Sequence, residues 1–331
     1  MHGYGISVLR SIFVLYTTSM STHMISIFRI ALLRTFKCAF AVVLLLQTET
    51  YGQSTAESPV VAKGATPLKA GTGYAFTEGP AVDAKGNIYF TDQPNDKILK
   101  WSTDGKIETF MEGAGRSNGL YVDKAGNLWS CADANNELWK ISKDKKHSVV
   151  LENYQGKKFN GPNDLWIDPR GGVYFTDPFY KRDYWTRTEQ EIAQQDVYYL
   201  SPDGKNVSVA ATDFMQPNGI VGSPDGKKLF VADIRGRKTF VFDILENGRL
   251  GERRLFTEMG SDGMTIDSKG NLYLTGKGVT VFDPQGKQIE HIPIDEPWTA
   301  NVCFGGKDLR TLFVTASKSV YTVRMKVKGV R

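Results

Sequence analysis

One pattern recurs along this chain and limits its fold more than anything else in it. A turn carrying an acidic or amide residue runs into an apolar strand, an Asp/Gly-type reversal and a second apolar strand. Glu78 opens the first copy, TEGPAVDAKGNIYFTD, and Asn118 the second, SNGLYVDKAGNLWSCAD. Asn163 opens the third (PNDLWIDPRGGVYFTD), Asn218 the fourth (PNGIVGSPDGKKLFVAD), Asp262 the fifth (SDGMTIDSKGNLYLTG) and Asn301 a worn sixth (ANVCFGGKDLRTLFVTA). A repeat of about 40 residues built from short strands is the mark of propeller blades, because one blade cannot bury both faces of its sheet alone. The expected fold is all-β, a six-bladed β-propeller. Such a ring brings the six opening residues around one axis.

The ends of the array indicate how the ring closes. The sixth copy supplies strands near Val302 and over 312–315 and 320–326, then stops without a fourth. Ahead of the first copy, 67–76 reads as an orphan strand. Pairing it with the incomplete last blade closes the ring and hides two sheet edges. An open array or a five-bladed ring is the alternative. Copy three carries an insertion, FYKRDYWTRTEQEIAQQ from Phe179 to Gln195, between its second and third strands, on the face that holds the opening residues.

With 331 residues, 41% of them hydrophobic, the chain can bury a large core. Most of the formal charge of +5 sits near the N-terminus, in Arg10, Arg29, Arg34 and Lys37 against Glu49. No basic stripe remains, which argues against a nucleic-acid partner. Residues 1–52 read as a signal peptide or leader: Arg34 and Lys37 precede an apolar run over 38–46, with a plausible cut near Gly52. The expectation is a periplasmic or secreted protein without a stable membrane span once the leader is removed. An uncleaved anchor is the alternative, since 6–33 is also apolar, and Met24 is an alternative start. Residues 53–65 read as a disordered linker and 66–331 as the propeller domain. Cys131 and Cys303 fall in non-adjacent copies and read as small buried hydrophobes.

Glu78, Asn163, Asn218 and Asp262 would present two carboxylates and two amide oxygens to one point. Hard oxygen donors suit Ca²⁺, and less well Mg²⁺ or Mn²⁺; Zn²⁺ is a further candidate. Any one such loop could equally be a tight turn. The two carboxylates distinguish this set, because facing each other in a channel they repel unless a cation or proton intervenes. Asn118 and Asn301 hold equivalent positions and read as rim residues supporting the others. Asp92, Asp133, Asp177 and Asp233 follow second strands and read as turn caps, or as groups that orient the ligand amides, while Asp83, Asp123, Asp168 and Asp267 end first strands on the opposite face and read as structural.

QPNGIVGSPDGKKLFVAD over 216–233 and NGPNDLWIDPRGGVYFTDP over 160–178 resemble the hallmarks of the gluconolactonase, senescence-marker-protein and luciferin-regenerating-enzyme family, as do TEGP at 77–80 and SDGM at 261–264. The resemblance runs from about Phe76 to the C-terminus. It implies a six-bladed propeller with one catalytic divalent metal, commonly calcium, hydrolysing lactones or, in related enzymes, organophosphate esters. It places the metal ligands on Glu78, Asn163, Asn218 and Asp262, and makes Asp164 a supporting neighbour. The chain departs from the sugar-lactone members after Pro178, where Phe179, Tyr180, Lys181 and Arg182 replace a Tyr-Gly continuation.

Two functions follow as expectations. The first is a metal-dependent lactonase in which Asp262 or Glu78 is the general base and a small lactone is the partner. Tyr180, Trp185 and Arg182 of the insertion, with Trp298 at the entrance, would contact the substrate; Tyr184, Lys181 and Arg187 are further contributors. The second is a binding propeller whose ion only ties the blades together. The insertion could also be a surface loop with a short helix at 189–194. His147 and His291 fall on outer strands, away from the opening residues, so a Ser-His-Asp mechanism has little support here.

Overall fold

The structure is a computed structural model and describes residues 57–330; the leader over 1–52 lies outside the described residues. Six four-stranded antiparallel sheets follow one another along the chain. Their inner strands are Thr77–Val82, Ser117–Val122, Leu165–Ile167, Pro217–Gly222, Met264–Ile266 and Asn301–Gly305. Each inner strand packs against the next, and the first packs against the last, so the blades form a closed six-bladed β-propeller. Alternation of apolar and polar residues sets the faces. Blade one, for example, buries Ile88, Phe90, Leu99 and Trp101 against Cys303, Phe313 and Val320 of blade six.

The last blade is completed as the sequence suggests. The strand Leu68–Thr72 pairs antiparallel with Ser319–Arg324, Leu68 opposite Thr322 and Thr72 opposite Ser319. It is shorter than the 67–76 expected, because the N–H groups of Ala75 and Phe76 turn away to the Asp92 carboxylate at 3.0 and 3.1 Å.

The expected linker over 53–65 is corrected where it is described. Val60 is buried in the core shared by blades five and six, Val61 bridges Met325, and the Lys326 N–H donates to the Val60 carbonyl at 2.7 Å. The C-terminal segment then crosses to blade five, where the Ser268 N–H donates to the Lys328 carbonyl at 2.8 Å. Both ends of the domain therefore fasten the ring.

Cys131 and Cys303 are buried and unpaired, each within an apolar cluster. Among the described residues no helix is long and apolar enough to cross a membrane.

Candidate active site

The opening residues of the blades are held inside or just ahead of the inner strands, not on free loops. Glu78, Asn118, Asn218 and Asn301 lie within their strands, whereas the shorter inner strands of blades three and five leave Asn163 and Asp262 just before them. In blades one, two and four the pairing slips by one residue at this point: between Glu78 and Ala81, Ser117 and Leu120, and Pro217 and Ile220. Such a bulge twists the strand and re-aims a side chain that a regular pleat would send elsewhere.

The glycine following most of these residues has a steric cause. A Cβ on Gly79 would lie 2.0 Å from the Asn118 carbonyl oxygen, one on Gly119 2.5 Å from that of Asn163, and one on Gly219 2.7 Å from that of Asp262. A Cβ on Gly263 would meet the Asn301 side chain at 1.9 Å. Each glycine thus lets the next blade's opening residue approach, and the six positions pack as one ring. Threonines behind them fix the backbone: the Thr91 hydroxyl donates to the Asn118 carbonyl at 3.2 Å and the Thr176 hydroxyl to that of Asn218 at 2.7 Å.

Blade three breaks the rule. Asp164 stands where blades one, two, four and five carry glycine. It adds a third carboxylate, buried, which accepts the Leu165 N–H at 2.9 Å and, across the ring from blade six, the Asn301 side-chain amide at 3.3 Å. The sequence puts Asp164 beside the site; the structure puts it within the ring.

Glu78, Asn163 and Asn218 are buried, and Asp262 is partly exposed. The Asn218 amide donates to Asp262 Oδ1 at 2.8 Å and to the Tyr180 hydroxyl at 2.9 Å. Trp298 Nε1 donates to Asp262 Oδ2 at 2.6 Å, with its ring 38% exposed at the entrance. Beside this pair opens a cleft of about 330 Å³, lined among others by Asp262, Trp298, Arg237 and Lys277. Of the residues expected to meet substrate, Tyr180 and Trp298 therefore touch the ring directly. Arg182 packs over the Tyr180 ring at 5.2 Å and its charge reaches Asp262. Trp185 instead packs over Gly161, with its indole N–H on the Asp133 carbonyl at 2.7 Å and the Arg187 guanidinium 4.3 Å above its ring. Arg187 itself donates to the Asn160 carbonyl, so both are committed to holding the insertion. The helix considered for 189–194 does not form; bends replace it, with Ile192 buried in the core.

Burial pushes all three ring carboxylates up. Glu78 is raised well above its ordinary value by desolvation, then by the Asp262 and Asp164 charges. Asp164 is raised to about 7 by burial against the donors that hold it, and Asp262 to about 6 by burial, eased by Trp298 and Asn218. Among the described residues no group of three or more His, Cys, Asp or Glu side chains closes into a metal cluster. The donor set expected here is half amide. Within it, the Asn218 amide N–H groups are spent on Asp262 and Tyr180, turning its oxygen free; outside it, at the equivalent position of blade two, Asn118 Oδ1 is buried without a hydrogen-bond partner. A free amide oxygen on Asn218, next to Asp262, with Glu78 repelled by the Asp262 and Asp164 charges, fits a cation.

A pH dependence follows. A carboxyl raised on folding favours the folded state below its unfolded value and loses that contribution as pH climbs through the folded one. Asp164 and Asp177 at about 7, with Asp262 and Asp196 at about 6, all act in this direction. Lowered carboxyls such as Asp308 at about 2 are exposed and titrate outside this window. In chelator the melting temperature should fall between about pH 5 and pH 8. Added Ca²⁺ should restore more at the alkaline end. A chelated protein that becomes more stable over that range would contradict the assignment.

The SMP-30/gluconolactonase/LRE-like family model matches residues 76–318. The chain belongs to this family. A gluconolactonase of Zymomonas mobilis is 32% identical over 286 residues, 77% of this chain and 80% of that protein. The solved gluconolactonase of Xanthomonas campestris superposes with a TM-score of 0.75 at 28% identity, covering 80% of this chain and 91% of its own. A calcium-binding regucalcin of Agrobacterium tumefaciens shares the fold, with a TM-score of 0.67 at 18% identity over 81% of this chain and 95% of its own. The matched region spans all six opening residues of the ring and the 179–195 insertion.

Proposed function

We infer that the protein is a lactonase, opening a sugar-type lactone by hydrolysis with the help of one divalent ion, Ca²⁺ by the chemistry of the donors. The observation that carries this reading is Asp262: a carboxyl raised to about 6, partly exposed, oriented by Trp298 and Asn218, and opening onto a cleft. Membership in a family with a gluconolactonase 32% identical to this chain supports the same reading. Glu78, Asn163, Asn218 and Asp262 would hold the ion. When bound it supplies a Lewis acid for the ester carbonyl and offsets the carboxylate charges.

The remaining chemistry belongs to the chain. Asp262 takes the proton of the attacking water as its oxygen bonds to the carbonyl carbon, and returns it to the ring oxygen as the ester C–O bond breaks. The product is the open hydroxy acid. Asp262 is partly exposed and opens onto the cleft, whereas Glu78 is buried deeper and accepts the N–H of its own neighbour Gly79 at 3.0 Å. Tyr180, Arg182 and Trp298 border the place where the lactone would lie.

The test is hydrolysis of a lactone panel by the protein as purified, after chelation, and after return of Ca²⁺, Mg²⁺, Mn²⁺ or Zn²⁺. Activity should vanish on chelation and return best with Ca²⁺. A protein that binds Ca²⁺ and gains stability from it, yet hydrolyses no lactone or related ester with any ion, would be a binding propeller instead.

A further inference from the structure

We propose that Asp133 is a positioning residue that clamps the 179–195 insertion over the channel mouth. The aspartate ending the second strand has a repeated duty in other blades: it accepts the N–H groups of the segment leading into its own blade. Asp92 takes Ala75 and Phe76, Asp177 takes Asn160 and Gly161 at 2.9 and 2.8 Å, and Asp233 takes Met215 and Gln216 at 2.8 and 2.9 Å. In blade two the equivalent N–H groups are those of Gly115 and Arg116; neither goes to the Asp133 carboxylate, and Asp96 of blade one takes that of Arg116 at 2.6 Å. Asp133 is thereby released from the turn.

Its freed carboxylate faces the insertion. Asp133 Oδ2 accepts Arg182 Nε at 2.9 Å, Gln93 Nε2 at 3.2 Å and the Tyr184 hydroxyl, while its carbonyl accepts Trp185 Nε1 at 2.7 Å. The Arg116 guanidinium covers the Tyr184 ring at 4.4 Å. Arg182, Tyr184 and Trp185 thus converge on one residue that is 2% exposed. A buried carboxylate carrying a guanidinium and two further donors is a charge-balanced anchor, and its removal strands the guanidinium. What the anchor fixes is Tyr180, which lies under Arg182 and receives the Asn218 amide at 2.9 Å. The path from Asp133 through Arg182 and Tyr180 ends on a ring residue.

The clamp itself rests on geometry alone; its effect on turnover rests on the lactonase reading. The insertion contains Lys181, Arg182 and Arg187, so trypsin reports its opening directly. In the full Ca²⁺-loaded chain, Asp133→Ala should raise cleavage within the insertion and the KM for a lactone by about tenfold each, with kcat changed less than about threefold. Ca²⁺ affinity should stay at the parent value. Tyr184→Phe, which removes one donor, should move cleavage and KM the same way by a smaller factor, and it decides the matter if Asp133→Ala does not fold. Parent-like cleavage and KM in the folded variants would overturn the clamp. So would a fall in kcat and Ca²⁺ affinity together with the melting temperature, since that pattern marks general damage. If the parent opens no lactone, the functional reading fails and the cleavage rates alone judge the clamp.

Discussion

Asp262→Asn is expected to lower kcat/KM on the best lactone by about 10³-fold, the scale seen when one preorganised electrostatic group is lost from an active site. Three effects of one substitution add in the same direction. The proton acceptor disappears, because a carboxamide has no basicity near neutrality. One of the two carboxylates that would neutralise the ion is lost, so Ca²⁺ affinity falls as well. The carboxamide also carries its own N–H groups into a place where both oxygens are now acceptors, for Asn218 at 2.8 Å and Trp298 at 2.6 Å. Trp298→Phe separates these effects. It keeps the charge but removes a donor that holds the carboxyl down, so the acid limb of the pH–rate profile should shift upward while Ca²⁺ still binds. An Asp262→Asn protein with parental turnover and Ca²⁺ affinity would remove this residue from the mechanism.

The ring was readable in the chain because every blade repeats the same local demands. The Asp-x-x-Gly reversals recur since Asp83, Asp123, Asp168 and Asp267 each accept N–H groups of their own turn, as in Asp83 with Asn87 at 2.9 Å. The glycine after Glu78, Asn118, Asn218 and Asp262 recurs since a neighbouring blade occupies the space of its Cβ. Where a copy departs from the pattern, the cause is non-local. Asp164 occupies a glycine position, a difference visible when the copies are set side by side, but its bond to Asn301 joins blades far apart in sequence. Asp133 looks like its turn-capping counterparts, and only the placement of Asp96 beside Arg116 explains why it serves the insertion instead. The helix considered at 189–194 loses to long-range contacts: Gln190 donates to Asn160 Oδ1 at 3.1 Å, Glu191 accepts the Lys158 N–H at 2.9 Å and Ile192 enters the core. Local propensity is a weak force against that many tertiary anchors.

A protein beginning at Gly73 is expected to melt at least about 10 °C below the full domain and to self-associate. Removing 57–72 takes the outer strand from blade six and uncovers the backbone edge of Ser319–Arg324. It also removes Val60, 1% exposed, whose burial alone contributes about 1.5–3 kcal/mol. The Lys326 and Ala62 backbone bonds, at 2.7 and 3.0 Å, are lost with it, each with a net contribution of about 1 kcal/mol. For a domain of this size each kcal/mol shifts the midpoint by about 2–4 °C, so the strand pairing lost as well takes the total beyond about 10 °C. The loss should spread beyond blade six, because the site residues pack as one ring and Asn301 of that blade is bonded to Asp164. Adding residues 57–72 as a free peptide should restore part of the melting temperature, since an open edge pairs with the strand it was built for. An unchanged melting curve without 57–72 would mean that the ring is held by its blade-to-blade cores alone, and that this strand covers an edge without closing the fold.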